Sequence, residues 1–282
     1  MNKLQTLLRT FVKSVSDPSY YNHVLRAKFS FSVKYFLAFM AVLAAVNTAQ
    51  YHFTIKPRVD KFVNQAIEQT VAAYPNTLVL SITDNKLHIA GRPDPVYIPF
   101  PQFLDGLKTN QFNYLAILTE SATLPKDRAL ITAIADQLII RTPDSSRKEI
   151  LTYSQLDLPQ GQTVTLTKDL LTQATTRLQT FTDRLIAYSP LLVFIFLVLA
   201  LPLGTAIGLL FNTLITWLAA HILNKGLSYK HSYQIGLHTV TFALTATTLQ
   251  RLLFPAVHLP GLHTIAFFGA TLLALYSIKA KA

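Results

Sequence analysis

IAYSPLLVFIFLVLALPLGTAIGLLFNTLITWLAAHIL, residues 186–223, contains no Asp, Glu, Lys or Arg. Its only ionisable side chains are Tyr188 near one end and His221 near the other. A continuous helix of this length would run roughly 57 Å, against about 30 Å of bilayer hydrocarbon. No soluble fold needs so long an uncharged run, so the sequence reads as that of a membrane protein. Two paths through the lipid are open to it. A single crossing bent at Pro202 leaves Lys225 and Lys230 on the inner side, whereas a tight hairpin at Leu201-Pro202-Leu203-Gly204 puts them outside. Positive charge favours the cytosolic side, which favours the single crossing. Gly204 and Gly208 have the GxxxG spacing that lets a neighbouring helix approach closely, and a turn would waste it.

Charge is distributed to match. The chain carries a net +11 with only 14% charged residues. Lys3, Arg9, Lys13, Arg26, Lys28 and Lys34 stand against Asp17 in the first 51 residues. Residues 185–282 carry Lys225, Lys230, Arg251, Lys279 and Lys281 with no acid, while residues 52–184 are nearly neutral. Basic excess beside apolar segments is a topology signal, not a nucleic-acid groove, so nucleic acid is not expected as a partner. With no cysteine, disulfides, thiolate metal sites and cysteine nucleophiles are excluded.

Working outward, residues 1–34 read as a cytoplasmic segment. Leu4, Leu7, Leu8, Phe11, Val12 and Val15 give it an amphipathic helix suited to an anionic leaflet, ended at Asp17-Pro18. Residues 35–55 form a first span with aromatic anchors at both ends. Residues 56–184 form an inserted α+β domain on the extracytoplasmic side. It opens with a helix after Pro57 and ends with one capped by Thr167. Between them TLVLSIT and KLHIA flank Asp84-Asn85 as a hairpin, and further strands are expected at Val96–Phe100, Tyr114–Thr119, Leu138–Arg141 and Glu149–Tyr153. Residues 127–136 are spaced for a short helix. In residues 185–282 the segment from Ser232 to Phe254 spans outward and that from Leu262 to Ile278 returns. The expected fold is a membrane α-helical bundle of four spans, five if the long run is a hairpin, multi-pass in the plasma membrane with its N-terminus cytoplasmic.

Chemistry is sparse. His238, on a Thr-rich helix, and Arg251 are the intramembrane ionisable candidates, read either as interhelical hydrogen bonding or as a polar path. His258 and His263 lack a further ligand for a metal. No nucleophile elbow, zinc-protease helix, phosphate loop or glycine fingerprint is present, and acids such as Asp84, Asp94, Asp105, Asp127, Asp136 and Asp144 sit in turn-like contexts. No catalytic residue, metal or cofactor is expected.

The chain resembles the bacterial membrane proteins grouped as domain of unknown function 1189. The likeness is carried by Phe11-Val12-Lys13-Ser14 with Pro18, by Tyr74-Pro75, by SITDNKLHIA, YLAILTES, QLIIRT and ILTYSQL, and by KGLSYKHSYQI from Lys225 to Ile235. Asn85 stands where relatives often have Gly. The resemblance implies this architecture and, because some members are labelled maltodextrin utilisation proteins, a link to carbohydrate uptake. The expected role is a non-enzymatic sensor or accessory protein with an extracytoplasmic binding domain, touching the lipid bilayer and other membrane proteins. The alternative is a transport component using His238 and Arg251.

Overall fold

The computed structural model describes residues 3–278 apart from 102–111, 127, 143–147, 157–158, 160 and 258. Asp105, Asp127, Asp144, His258, Lys279 and Lys281 therefore lie outside the described residues. The chain divides into two compact units, one of residues 1–51 with 190–282 and one of residues 52–189.

In the second unit, helix α4 (Lys56–Ala73) is followed by strands β1 (Val79–Thr83) and β2 (Lys86–Ala90). These pair antiparallel through a two-residue turn in which Asp84 and Asn85 have φ of 48° and 61°. Both central residues of a type I′ turn need positive φ, and Asp and Asn tolerate it. Strand β8 (Thr163–Leu166) completes a sheet of order β2-β1-β8. The other sheet runs β3 (Val96–Ile98), β4 (Tyr114–Leu118), β5 (Ala129–Ala133), β6 (Gln137–Arg141) and β7 (Lys148–Thr152), in that order, with β4 and β5 parallel. Tyr74, Leu78, Leu87, Val96, Ala116, Leu118 and Tyr153 belong to its buried core. The other edge of β2 is engaged by the segments that follow β5 and β4. The Leu87 amide donates to the Ala135 carbonyl at 2.8 Å, and the Ile89 amide donates to the Glu120 carboxylate.

Two sequence expectations change here. The helix expected over residues 127–136 is strand β5, lying between β4 and β6. Ala129 and Ala133 are buried along a short apolar run, which periodicity alone cannot assign to helix or strand. Strand β8 was not expected at all, because it is exposed along its length and carries no burial pattern.

The other unit contains α1 (Lys3–Ser16), α2 (Tyr21–Arg26), α3 (Phe29–Gln50), the later part of α5 (Lys168–Ile222), α6 (Tyr229–Leu253) and α7 (Leu262–Ser277). Helix α5 is continuous, so no turn forms at 201–204, and both Pro190 and Pro202 sit inside it. Proline at 190 cannot bond the carbonyl of Ile186, and the Ser189 hydroxyl donates to that oxygen at 2.7 Å instead. Phe36, Met40, Leu209, Leu237, Val240 and Phe267 form the main core of this unit.

The four- or five-span bundle is not what the chain forms. Two helical stretches are long and apolar enough to cross a membrane, Phe29–Ala73 and Lys168–Ile222, and the fold includes two β-sheets. Helix α7 has 16 residues, about 24 Å, which falls short of a hydrocarbon core of about 30 Å. Helix α6 is diluted by Lys230, Arg251 and a run of buried polar side chains, Ser232, Gln234, His238, Thr239 and Thr241 among them.

Candidate functional site, a buried histidine among helix hydroxyls

His238 is 0% exposed and lies where α1, α3 and α6 meet. The pairs Phe29–Tyr233, Ser32–His238 and Tyr35–Thr241 advance together, so α3 and α6 run parallel. That register places Ser32 and Tyr35, three residues apart on one face of α3, against His238 and Thr241, three apart on α6. Helix α1 supplies Ser14.

The hydrogen bonds fix their own directions. The Ser14 hydroxyl donates to the Thr10 carbonyl at 2.7 Å, so towards His238 Nδ1, 3.2 Å away, its oxygen accepts. Nδ1 therefore carries the hydrogen, and Nε2 accepts from the Ser32 hydroxyl at 3.1 Å. The Thr241 hydroxyl donates to the His238 carbonyl at 2.7 Å, which leaves the Tyr35 hydroxyl to donate to Thr241 at 3.0 Å. The Tyr35 ring stacks on the imidazole at 4.6 Å and 9°, and Tyr20 meets it edge-on at 6.1 Å. Tyr21 donates to the Ser14 carbonyl at 3.0 Å, and burial, reinforced by Tyr35 and Tyr20, pushes its phenol above the usual range. Every polar atom of the imidazole is matched, which is what a buried polar group requires.

A little further towards the start of α6, Gln234 donates to the carbonyls of Val24 at 2.6 Å and Ala27 at 3.1 Å, tying the end of α2 to α6. On the other side of α6 the Thr271 hydroxyl donates to Thr239 at 3.2 Å. What this arrangement does chemically is hold helices in register with a neutral, tautomerically fixed imidazole.

Arg251 is not part of it. It is exposed at the last turn of α6, about 20 Å along the helix from His238. His263 is half-buried, and burial lowers its pKa. Among the described residues no group of three or more His, Cys, Asp or Glu is placed to hold a metal. At Gly204 and Gly208 an added Cβ would meet nothing within 4 Å. The close glycine contact in this unit is at Gly236, where a Cβ would stand 3.3 Å from Leu209 Cδ2 and 3.4 Å from Thr213 Oγ1. Sequence reading missed Gly236, Ser14, Ser32 and Tyr35. The contacts of Ser14, Ser32 and Tyr35 cross more than 200 positions, and that of Gly236 with Leu209 depends on how α5 packs on α6, so neither leaves a local pattern to find.

In the sheet unit Asp94 and Arg141 make structural hydrogen bonds. Asp94 accepts from the Thr119 hydroxyl at 3.1 Å and the Glu120 amide at 3.3 Å. Arg141 donates to the Ala129 carbonyl at 3.0 Å and the Thr132 hydroxyl at 2.7 Å. Burial, and then Arg128, lowers the pKa of Arg141.

No curated protein and no solved structure matches the chain. A family model described as protein of unknown function (DUF1189) matches residues 8–277, nearly its whole length. The architecture of two compact units and the buried histidine cluster are thus features of a member of that family, to which this chain belongs.

Proposed function

We propose that this is an integral membrane protein that presents its sheet unit outside the cytoplasm as a non-enzymatic sensor or accessory domain. The observation that carries the reading is an inverted pattern of burial in the helical unit. Ser32, Gln234, His238, Thr239 and Thr241 are buried, while Phe196, Leu199, Leu203 and Ile222 are exposed and Phe211 is 71% exposed. Water as solvent selects the opposite arrangement, whereas hydrocarbon selects this one. The most apolar stretch of α5 has no residue buried within the chain, a surface larger than soluble proteins leave open.

The sheet unit is joined to apolar helix at both ends, through Tyr51–Ile55 on one side and through α5 on the other. With Phe29–Ala73 and Lys168–Ile222 each crossing once, Lys28, Lys225 and Lys230 fall on the cytoplasmic side and residues 52–189 outside. The chain contains no cysteine, so single cysteines report topology cleanly. In intact cells an impermeant maleimide is expected to label Glu149→Cys and to spare Lys230→Cys until the membrane is opened. The reverse pattern, or equal labelling of a protein found in the soluble fraction, overturns the reading. The binding role is tested separately by titrating the full-length protein in nanodiscs with maltodextrins and by isolating its complexes. A chain that binds no such ligand and always migrates alone is not an accessory protein of this kind.

A further inference from the structure

Helix α5 belongs to the sheet unit from Lys168 to Ser189. Lys168, Asp169, Arg177, Asp183 and Arg184 keep this part of the helix out of hydrocarbon. Towards its own chain it turns polar side chains. The Gln179 amide donates to the Asn64 side chain on α4 at 3.1 Å, and Thr175 and Thr182 share that partly covered face. Apolar side chains are left in the open. Ala174, Leu178, Phe181, Leu185 and Tyr188 are all exposed, Leu178 at 52% and Phe181 at 59%. A continuous apolar stripe in a segment that carries so many charges marks an interaction surface.

The spacing of the stripe specifies what covers it. Its members advance in alternate steps of four and three residues, and the same steps continue along the helix at Leu192, Ile195 and Leu199, each exposed. This is the a/d seam of a heptad repeat, kept for more than three heptads. A straight α-helix drifts by about 20° per heptad, so a strict seven-residue period fits a second helix coiled around the first. The partner helix needs an apolar seam of similar length, running from outside the lipid into it. Helix α5 of another copy meets that demand, because insertion in one membrane sets the two copies parallel and level.

Charge agrees with a parallel pair. Arg177 and Arg184 occupy g positions beside the seam, and the e positions are Thr175, Thr182 and Ser189. In a parallel dimer each g position faces an e position of the other copy, so arginine meets a hydroxyl. The Thr182 hydroxyl donates to the Gln179 carbonyl at 2.9 Å, which leaves its oxygen to accept. An antiparallel pair would set arginine against arginine.

We propose that α5 pairs with α5 of a second copy of this chain along the seam from Ala174 to Leu199, forming a parallel two-helix dimer. Leu178 and Leu185 then pack on their own counterparts at a, and Phe181 and Tyr188 do so at d, about a two-fold axis along the helices. The proposal rests on the membrane reading above.

The chain contains no cysteine, so single cysteines report contacts between copies. The test uses the full-length protein in native membranes under mild oxidation, with disulfide-linked dimer read on denaturing gels. Leu178→Cys, Phe181→Cys and Leu185→Cys are expected to give several-fold more dimer than Thr176→Cys and Asp183→Cys, which stand at f positions away from the seam. Adding Phe181→Glu is expected to lower the Leu178→Cys dimer several-fold. Native mass spectrometry from nanodiscs is expected to give dimer for the parent and monomer for Phe181→Glu. Helix content by circular dichroism is expected to stay unchanged, since Phe181 is mostly exposed within one chain.

Dimer yields at a and d no higher than those at f, from protein in the membrane fraction, overturn the seam and leave the membrane reading standing. Cross-links from the seam to a protein other than this chain put a different occupant there and overturn the proposal. Recovery of the protein from the soluble fraction removes the membrane reading itself, so the two failures are distinguishable.

Discussion

Ser14 and His238 lie 224 positions apart, and their side chains meet at 3.2 Å in the interior of the helical unit. This contact, with that of Ser32 to the other ring nitrogen, joins α1 and α3 to α6 through a single imidazole. Helix α1 is thereby tied into the helical unit through a side chain near its C-terminal end.

Replacing His238 by Leu strands the Ser32 hydroxyl, whose residue is fully buried, and removes the acceptor it serves. Loss of about 1–3 kcal/mol is expected. Ser14→Ala removes a weaker contact and is expected to cost about 0.5–1.5 kcal/mol. Thermal unfolding of the detergent-solubilised protein measures both. Protease cutting near Asp17-Pro18 is expected to rise in each variant as α1 loosens, and a His238→Leu protein as stable and as resistant as the parent would show the cluster to be inert.

Glycine substitution separates two sites that look alike in sequence. At Gly236 the neighbours stand at 3.3 and 3.4 Å, so Gly236→Leu must displace Leu209 or Thr213 and is expected to cost about 1–3 kcal/mol. Gly204→Leu and Gly208→Leu meet nothing within 4 Å and are expected to leave monomer stability unchanged. If either of the latter two alters oligomeric state on size exclusion, their glycines serve contacts between chains.

In the β1–β2 hairpin, Asn85→Gly is expected to be neutral or mildly stabilising because φ is 61° there. Asn85→Val, a β-branched residue at positive φ, is expected to destabilise the unit by about 1–2 kcal/mol. Gly91→Ala is expected to do more damage than either, since φ is 80° and the added Cβ would overlap the Thr77 carbonyl oxygen. Expression level and the unfolding midpoint of the three variants, ranked in that order, check the turn geometry.

Tyr153 gives a pH dependence with a defined sign. Burial, and then the charge of Asp136, pushes its phenol from 10.0 up to about 12. The neutral form is the one the fold accommodates. The unfolded chain therefore loses its proton first as pH rises, and stability falls between about pH 10 and 12. Below pH 10 both states keep the proton and the group contributes no slope. Tyr153→Phe is expected to flatten this alkaline limb, read from unfolding midpoints between pH 9 and 12, and an unchanged limb would assign it to another group.

Sequence alone determined what depends on neighbours along the chain. The Asp84-Asn85 turn, the strands on either side of it, the Thr167 cap and the uncharged run from 186 to 223 are written in local residue chemistry. Thr167 caps as read, accepting from the Leu170 amide at 3.2 Å. Residues 129–133 resisted, because a short buried apolar run satisfies helix and strand alike and only pairing with β4 and β6 decides. The number of helices able to cross also escaped, since an apolar tally treats α6 as lipid-facing when its polar side is turned into the protein. Tertiary structure alone brought Ser14, Ser32 and His238 together. Hydroxyls pack well anywhere on a helix, and only the register between α1, α3 and α6 selects those that meet a ring nitrogen.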